Sequence, residues 1–177
     1  FARWEAGQKL YTRAIFKLVQ DYRQGTPLEL NPVVVEAVKG VLNTQGAEQA
    51  LLAQALGLPS EITLAQQMKT VDVEGLHIAR KFLKQELGKA LRNEFQVVID
   101  ANQETEDYTF NSENYGRRLL KNTALSYLGA IDDTEAHQLC MKQFELGHNM
   151  TDVISALGCL SHTNSDERVK AFDAFYN

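Results

Sequence analysis

Cysteine, proline and long apolar runs are all scarce in this sequence, and each shortage excludes something. Cys140 and Cys159 are the two cysteines in 177 residues. That is too few for a disulfide framework, and it favours a reducing compartment, with the cytoplasm the expected location. Both fall in apolar, helical surroundings and read as buried, inert thiols. Purely apolar stretches run to no more than four residues, so nothing here is expected to span a membrane. Positive charge is in deficit, with 18 Lys and Arg against 23 Asp and Glu and a net charge of −5. Without a basic surplus there is little to neutralise phosphates, which argues against nucleic acid or an anionic membrane as partner. No secretory signal pattern opens the chain.

Reactive motifs are missing as well. A zinc peptidase helix needs HExxH, which sets two imidazoles on one helical face beside a general base. His77, His137, His148 and His162 each lack a second His four residues on. His137 and Cys140 are three apart on a helix, but two ligands do not make a structural zinc site. The preferred reading is a boundary histidine beside a buried thiol, and no metal ligand is assigned in this chain. GxSxG, GxGxxG and GxxxxGK[ST] are absent, so no nucleophile elbow or phosphate cradle is expected. Asp132, Asp133 and Glu135 cluster where a helix start favours negative charge, and capping accounts for them better than paired acid–base work.

What is present is a helical pattern. Hydrophobic residues make up 44% and charged residues 23%, a globular balance that fits one helical domain over 1–177. Asp72 to Asn102 is the dominant stretch. Leu76, Ala79, Leu83, Leu87, Leu91, Phe95 and Val98 fall near one stripe, with Asp72 as N-cap. The spacing predicts one continuous helix of about 45 Å at roughly 1.5 Å per residue. Before it come helices at Ala2 to Tyr22, from Pro32 through VVVEAVKGVL, at Gly46 to Leu56, and at Ser60 to Met68. The valine triplet also suits a strand, but Pro32 behind the cap residue Asn31 marks a helix start.

After the long stretch, Asn111 or Ser112 caps a helix to Gly129, with Arg117, Arg118 and Lys121 on its outer side. Asp132 or Asp133 caps the next, which Asn149 closes. Thr151 caps another to Leu160, and Ser165 caps the last. These are roughly nine or ten helices on short links, which make antiparallel neighbours. With no fixed period, the expected fold is all-α, an irregular α-solenoid or superhelical array of antiparallel helix pairs, with an irregular compact bundle second. The chain starts at Phe1 rather than an initiator methionine, and its apolar helical pattern persists through KAFDAFYN. A fragment of a larger domain is therefore expected.

Two clusters exceed what local structure asks for. Arg3-Trp4-Glu5 reads both as the opening of the helical core and as a docking surface for a preceding domain. Lys142-Gln143-Phe144, followed by Asn149-Met150-Thr151-Asp152, is a helix end, a turn and a new cap, yet capping does not require Met150 between them.

With these stretches in view, the chain resembles the aminopeptidase N family of zinc exopeptidases, in its bacterial, plant and apicomplexan branch. The matching pieces begin with Arg3-Trp4-Glu5-Ala6-Gly7-Gln8, Gly25-Thr26-Pro27-Leu28, Leu58-Pro59-Ser60 and Asp72. They continue with Arg118-Leu119-Leu120-Lys121-Asn122, Lys142-Gln143-Phe144, Asn149-Met150-Thr151-Asp152 and Ala156-Leu157. Each is weak alone; their shared order and spacing are specific. The resemblance falls on the first part of the family's C-terminal helical domain. The family's catalytic and zinc-binding motifs have no counterpart here, so no catalytic, cofactor or metal role carries over to any residue, and the chain alone is expected to be inactive. Zinc would sit in the parent's catalytic domain.

The resemblance implies a wall that helps enclose the parent's active-site cavity and peptide channel. The partners it implies are the parent's catalytic and β-sandwich domains, and peptides as substrates. Arg3, Trp4 and Glu5 would meet the neighbouring domain. If later helices are missing, Ala156 to Phe175 should present an apolar face. A free-standing α-solenoid scaffold for partner proteins is the alternative.

Overall fold

The cap-and-stop chemistry of the sequence places most helix ends in the computed structural model. It describes residues 2–104, 109 and 111–177, and of residues 2 and 3 the backbone alone. Ten helices stand among the described residues: α1 (Ala2–Arg23), α2 (Pro32–Leu42), α3 (Gln49–Leu56), α4 (Glu61–Ala65), α5 (Val73–Ala90), α6 (Arg92–Ala101), α7 (Ser112–Gly129), α8 (Thr134–Leu146), α9 (Met150–Ser161) and α10 (Asp166–Tyr176). Asn31, Ser60, Asp72, Asn111, Asp133, Asn149 and Ser165 each accept a backbone N–H of the first turn. Such a cap contributes about 1 kcal/mol. Gly25 stops α1 with φ 66, a left-handed conformation that costs a side-chain-bearing residue more. No helix among the described residues is long and apolar enough to cross a membrane.

The expected single helix over Asp72 to Asn102 is instead two. Leu91, with φ −120 and ψ 29, ends α5 and opens α6. No proline lies near the break, and the nearest glycine, Gly88, sits inside α5. The two halves of the apolar stripe share α7 but otherwise serve different neighbours: α5 lies also on α1 and α4, and α6 on α2. Leu91 stays buried at the junction, between Leu87 and Phe95. Tertiary packing thus outweighs a helical pattern that is continuous locally.

The centre of the array is α7, which touches α3, α5, α6, α8 and α9. Close approach at its two ends is allowed by small residues. Gly116 lets the start of α3 come near, and Gly129 leaves room for Cys140 and Cys159. Tyr127 is fully buried, stacks on Phe95 with ring centroids 4.6 Å apart, and donates its hydroxyl to the Leu56 carbonyl at 2.5 Å. The Tyr11 hydroxyl reaches the Ala55 carbonyl at 3.1 Å, so two tyrosines tie α1 and α7 to the end of α3. The result is an all-helical, solenoid-like array, as the pattern predicts.

Several expected ends shift. The α3 helix starts at Gln49 rather than at Gly46, whose φ of 71 is not helical. The α4 helix stops at Ala65, and α2 is a helix rather than a strand. Asn149 opens α9 rather than closing α8, because its side chain accepts the Asp152 N–H; the α9 cap is therefore Asn149 and not Thr151. Near the far end, Leu157 and Leu160 are buried, whereas Ile154, Val169, Phe175 and Tyr176 are exposed.

Candidate functional site

Arg118 and Lys121 are not on the outer side of α7. Both are buried, at 3% exposure each. The reason is visible in the spacing. Residues 118, 121, 125 and 128 recur every three or four positions, and Leu125 and Leu128 are core residues. Two cations therefore fall within an apolar stripe, where each requires an anion.

Asp152, in the first turn of α9, meets Lys121. Its Oδ2 lies 2.6 Å from Lys121 Nζ, and both side chains are 3–4% exposed. Asn122 Nδ2 donates to Asp152 Oδ1 at 2.9 Å, and Asn149 Nδ2 donates to Oδ2 at 2.9 Å. The carboxylate thus takes an ammonium and two amides, which compensates its desolvation. Gln143 from α8 ties in the third helix, donating Nε2 to Asn122 Oδ1 at 2.8 Å and to the Asp152 carbonyl at 3.1 Å.

The connection ahead of α7 joins the same cluster. Glu104 pairs with Arg118, and its other oxygen accepts from Asn149 Nδ2 at 3.1 Å. Arg117 donates to the Gln103 carbonyl at 3.0 Å. Gln143 also lines a cavity of about 330 Å³, bordered by Gln96, Asp100 and Glu104. Gln143 Oε1 is a buried acceptor without a hydrogen-bond partner, and the cavity is large enough for an ordered water to donate to it. Chemically, this network holds rather than reacts. Its charged groups are spent on one another, and the described residues contain no cluster of three or more His, Cys, Asp or Glu able to hold a metal.

Three stretches that carry the sequence resemblance, 118–122, 142–144 and 149–152, converge in this network. Sequence reading found the stretches but gave them no role, and placed Arg118 and Lys121 in water. The other singled-out residues stand apart from it. Trp4 is 42% exposed on α1. Glu5 pairs with Lys9 at 2.8 Å, and the Arg3 side chain, with the expected pairing across the tryptophan, lies outside the described residues. His137 hydrogen-bonds Asp132 at 2.8 Å, while the Cys140 thiol turns toward Cys159. Cys140 is buried as expected, but Cys159 is half-buried.

The acidic cluster at the start of α8 is a cap. Asp133 accepts the Ala136 N–H at 2.9 Å and pairs with Arg92, which also meets Glu135 at 2.8 Å. Partial burial pushes the Asp133 carboxyl upward, but the Ala136 N–H and the Arg92 guanidinium outweigh it and hold the group below its ordinary value.

Comparison with known proteins gives a consistent picture. A family model described as a domain of unknown function (DUF3458_C) of ARM repeats matches residues 1–177. Aminopeptidase N of Haemophilus influenzae is 30% identical over 157 residues, covering 89% of this chain and 18% of that protein. Aminopeptidase N of Escherichia coli is 33% identical over 157 residues, with the same shares. A crystal structure of Legionella pneumophila aminopeptidase A in complex with aspartic acid superposes with a TM-score of 0.78 at 28% identity. It covers 98% of this chain and 21% of that one. The chain is homologous to the C-terminal part of the aminopeptidase N relatives and spans about a fifth of their length.

Proposed function

Since the chain belongs to the DUF3458_C family of ARM repeats, we propose that it is a non-catalytic helical segment of a zinc-dependent aminopeptidase. In this reading the parent removes N-terminal residues from peptides. The helices help to enclose its active-site cavity and substrate channel, limiting access and excluding bulk water. The observation that carries the reading is coverage: 89% of this chain matches 18% of each of two aminopeptidases N. The buried network supports it, because it makes the α7–α8–α9 corner a rigid wall without using any group as nucleophile or base.

Zinc belongs to the parent's catalytic domain in this proposal, and none is assigned to this chain. Trp4 and Glu5, with Arg3, face the neighbouring domain, the β-sandwich of the parent. The exposure of Trp4 supports that role, since a large aromatic left in water favours an interface. The two unbridged thiols support a cytoplasmic setting.

The test is an arylamide assay on the whole protein and on residues 1–177 alone, with and without a zinc chelator. The whole protein should show zinc-dependent release of N-terminal residues, and residues 1–177 none. Zinc-dependent turnover by residues 1–177 would refute the non-catalytic role. A coding sequence without any HExxH would refute the aminopeptidase reading and favour a free-standing scaffold.

A further inference from the structure

Two thiols face Gly129 where α7, α8 and α9 come together. A Cβ built on Gly129 would lie 3.2 Å from Cys140 Sγ, 3.4 Å from Cys159 Sγ and 3.0 Å from Cys159 Cβ. The two sulfurs therefore share the space that this glycine leaves open. Cys140 is sealed at 1% exposure, while Cys159 is half-buried. Lys84 reaches the same corner from α5, with Nζ 5.7 Å from the centroid of the Tyr127 ring. Among the described residues no carboxylate forms an ion pair with Lys84. Its charge acts on Cys159 instead.

These surroundings separate the roles of the two thiols. The neighbouring Cys140 and the Lys84 charge favour a thiolate at Cys159 and outweigh its burial. Cys140 is held as a thiol by its neighbour Cys159 and by burial. Reactive cysteines are those with partial exposure and a nearby positive charge, and inert ones are sealed in apolar surroundings. Cys159 has the first set of properties, and Cys140 is placed to resolve what Cys159 forms.

We propose that Cys140 and Cys159 are a redox-active dithiol, a modification site for low-molecular-weight disulfides that closes into a bridge between α8 and α9. The Cys159 thiolate attacks one sulfur of a disulfide RSSR. The S–S bond of RSSR breaks, a Cys159–SR bond forms, and one RS⁻ leaves and takes up a proton. Cys140 then gives its proton to solvent and attacks Cys159 Sγ, expelling the second RS⁻, which is protonated in turn. The protein loses two electrons and two protons, and RSSR becomes two RSH. The bridge closes a loop over the turn that carries Asn149 and Asp152, so oxidation stiffens the same corner that the buried network holds. On this proposal Cys159 departs from the inert-thiol reading taken from the sequence, since it is neither sealed nor remote from charge.

The test uses the whole protein that contains this chain. It is incubated folded with oxidised glutathione, then alkylated, digested and mapped by mass spectrometry. The expected product is a cross-linked peptide pair joining Cys140 to Cys159, lighter by two hydrogens. Cys140→Ser should stop at a glutathionyl adduct on Cys159, and Cys159→Ser should leave Cys140 unmodified. Lys84→Met should slow the first adduct several-fold. The proposal is overturned if the folded wild type shows neither adduct nor bridge while both thiols react after denaturation. It is equally overturned if Cys140 is modified in Cys159→Ser. Should a variant fail to fold, the wild-type map decides: a Cys140–Cys159 bridge upholds the proposal, and its absence overturns it.

Discussion

Removing the Asp152 carboxylate should be far more damaging than removing its partner Lys121. In Asp152→Asn the Lys121 ammonium stays buried at 3% exposure and loses its anion. The new amide has a single acceptor oxygen where three donors converge, from Lys121, Asn122 and Asn149. Leaving a buried charge unpaired costs about 3–5 kcal/mol. For a chain of this size each kcal/mol moves the melting temperature by roughly 2–4 °C, so a fall of about 6–20 °C is expected. In Lys121→Met the carboxylate keeps both amide donors, and the methionine suits the apolar stripe beside Leu125. Losing one charged hydrogen bond then costs about 1–3 kcal/mol. Urea unfolding of the two single variants and the double variant measures both costs and their coupling. Equal costs for the two single variants would refute the asymmetry, as would an Asp152→Asn cost below about 1 kcal/mol, the range of a surface ion pair.

Other expectations follow from the same packing. Gly88→Ala places a methyl against the Tyr127 carbonyl oxygen, well inside van der Waals contact; backbone must move, so urea unfolding should show a loss of about 1–3 kcal/mol. Tyr127→Phe removes the 2.5 Å bond to the Leu56 carbonyl and leaves that acceptor dry, for a loss of about 1–3 kcal/mol by calorimetry. Asp133 is held below the ordinary carboxyl value, so its contribution is present above the unfolded value and is lost as pH falls through the folded one. The stability gap between wild type and Asp133→Asn should therefore be full at neutral pH and close in acid, as read by unfolding at a series of pH values. Trp4→Ala should leave the unfolding of residues 1–177 nearly unchanged while lowering the melting temperature of the whole protein, where the proposed domain contact is present.

Where helices begin could be read from the sequence because caps act locally. Asn31 with Pro32, Ser60, Asp72 and Ser165 each bond to an N–H two or three residues on, and the capping bond itself needs no distant residue, although Asp72 also pairs with Arg23. The break at Leu91 could not be read this way. It goes with the partners that α5 and α6 do not share, α1 and α4 for one and α2 for the other, and the glycine in that stretch, Gly88, lies inside α5 rather than at the break. The polar network was half legible. The stretches 118–122, 142–144 and 149–152 stood out by resemblance, but Arg and Lys are ordinarily solvated, and that expectation overrode the spacing that aligned them with Leu125 and Leu128. Glu104, the partner of Arg118, lies 14 residues away on a connection with no periodicity to place it. The nearness of Cys140 and Cys159 depends on how α7 meets the α8–α9 hairpin at Gly129, a tertiary fact that spacing alone does not reveal.

On the proposed function, the buried network of α7, α8 and α9 supports a wall and takes no part in chemistry. The direct measurement is kcat on a short aminoacyl arylamide, together with zinc content, for Lys121→Met in the whole protein at a temperature where it stays folded. The account predicts a lowered melting temperature with zinc content and kcat within about twofold of wild type, a margin well under 1 kcal/mol. A loss of kcat of about a hundredfold or more, with fold and zinc intact, would contradict it.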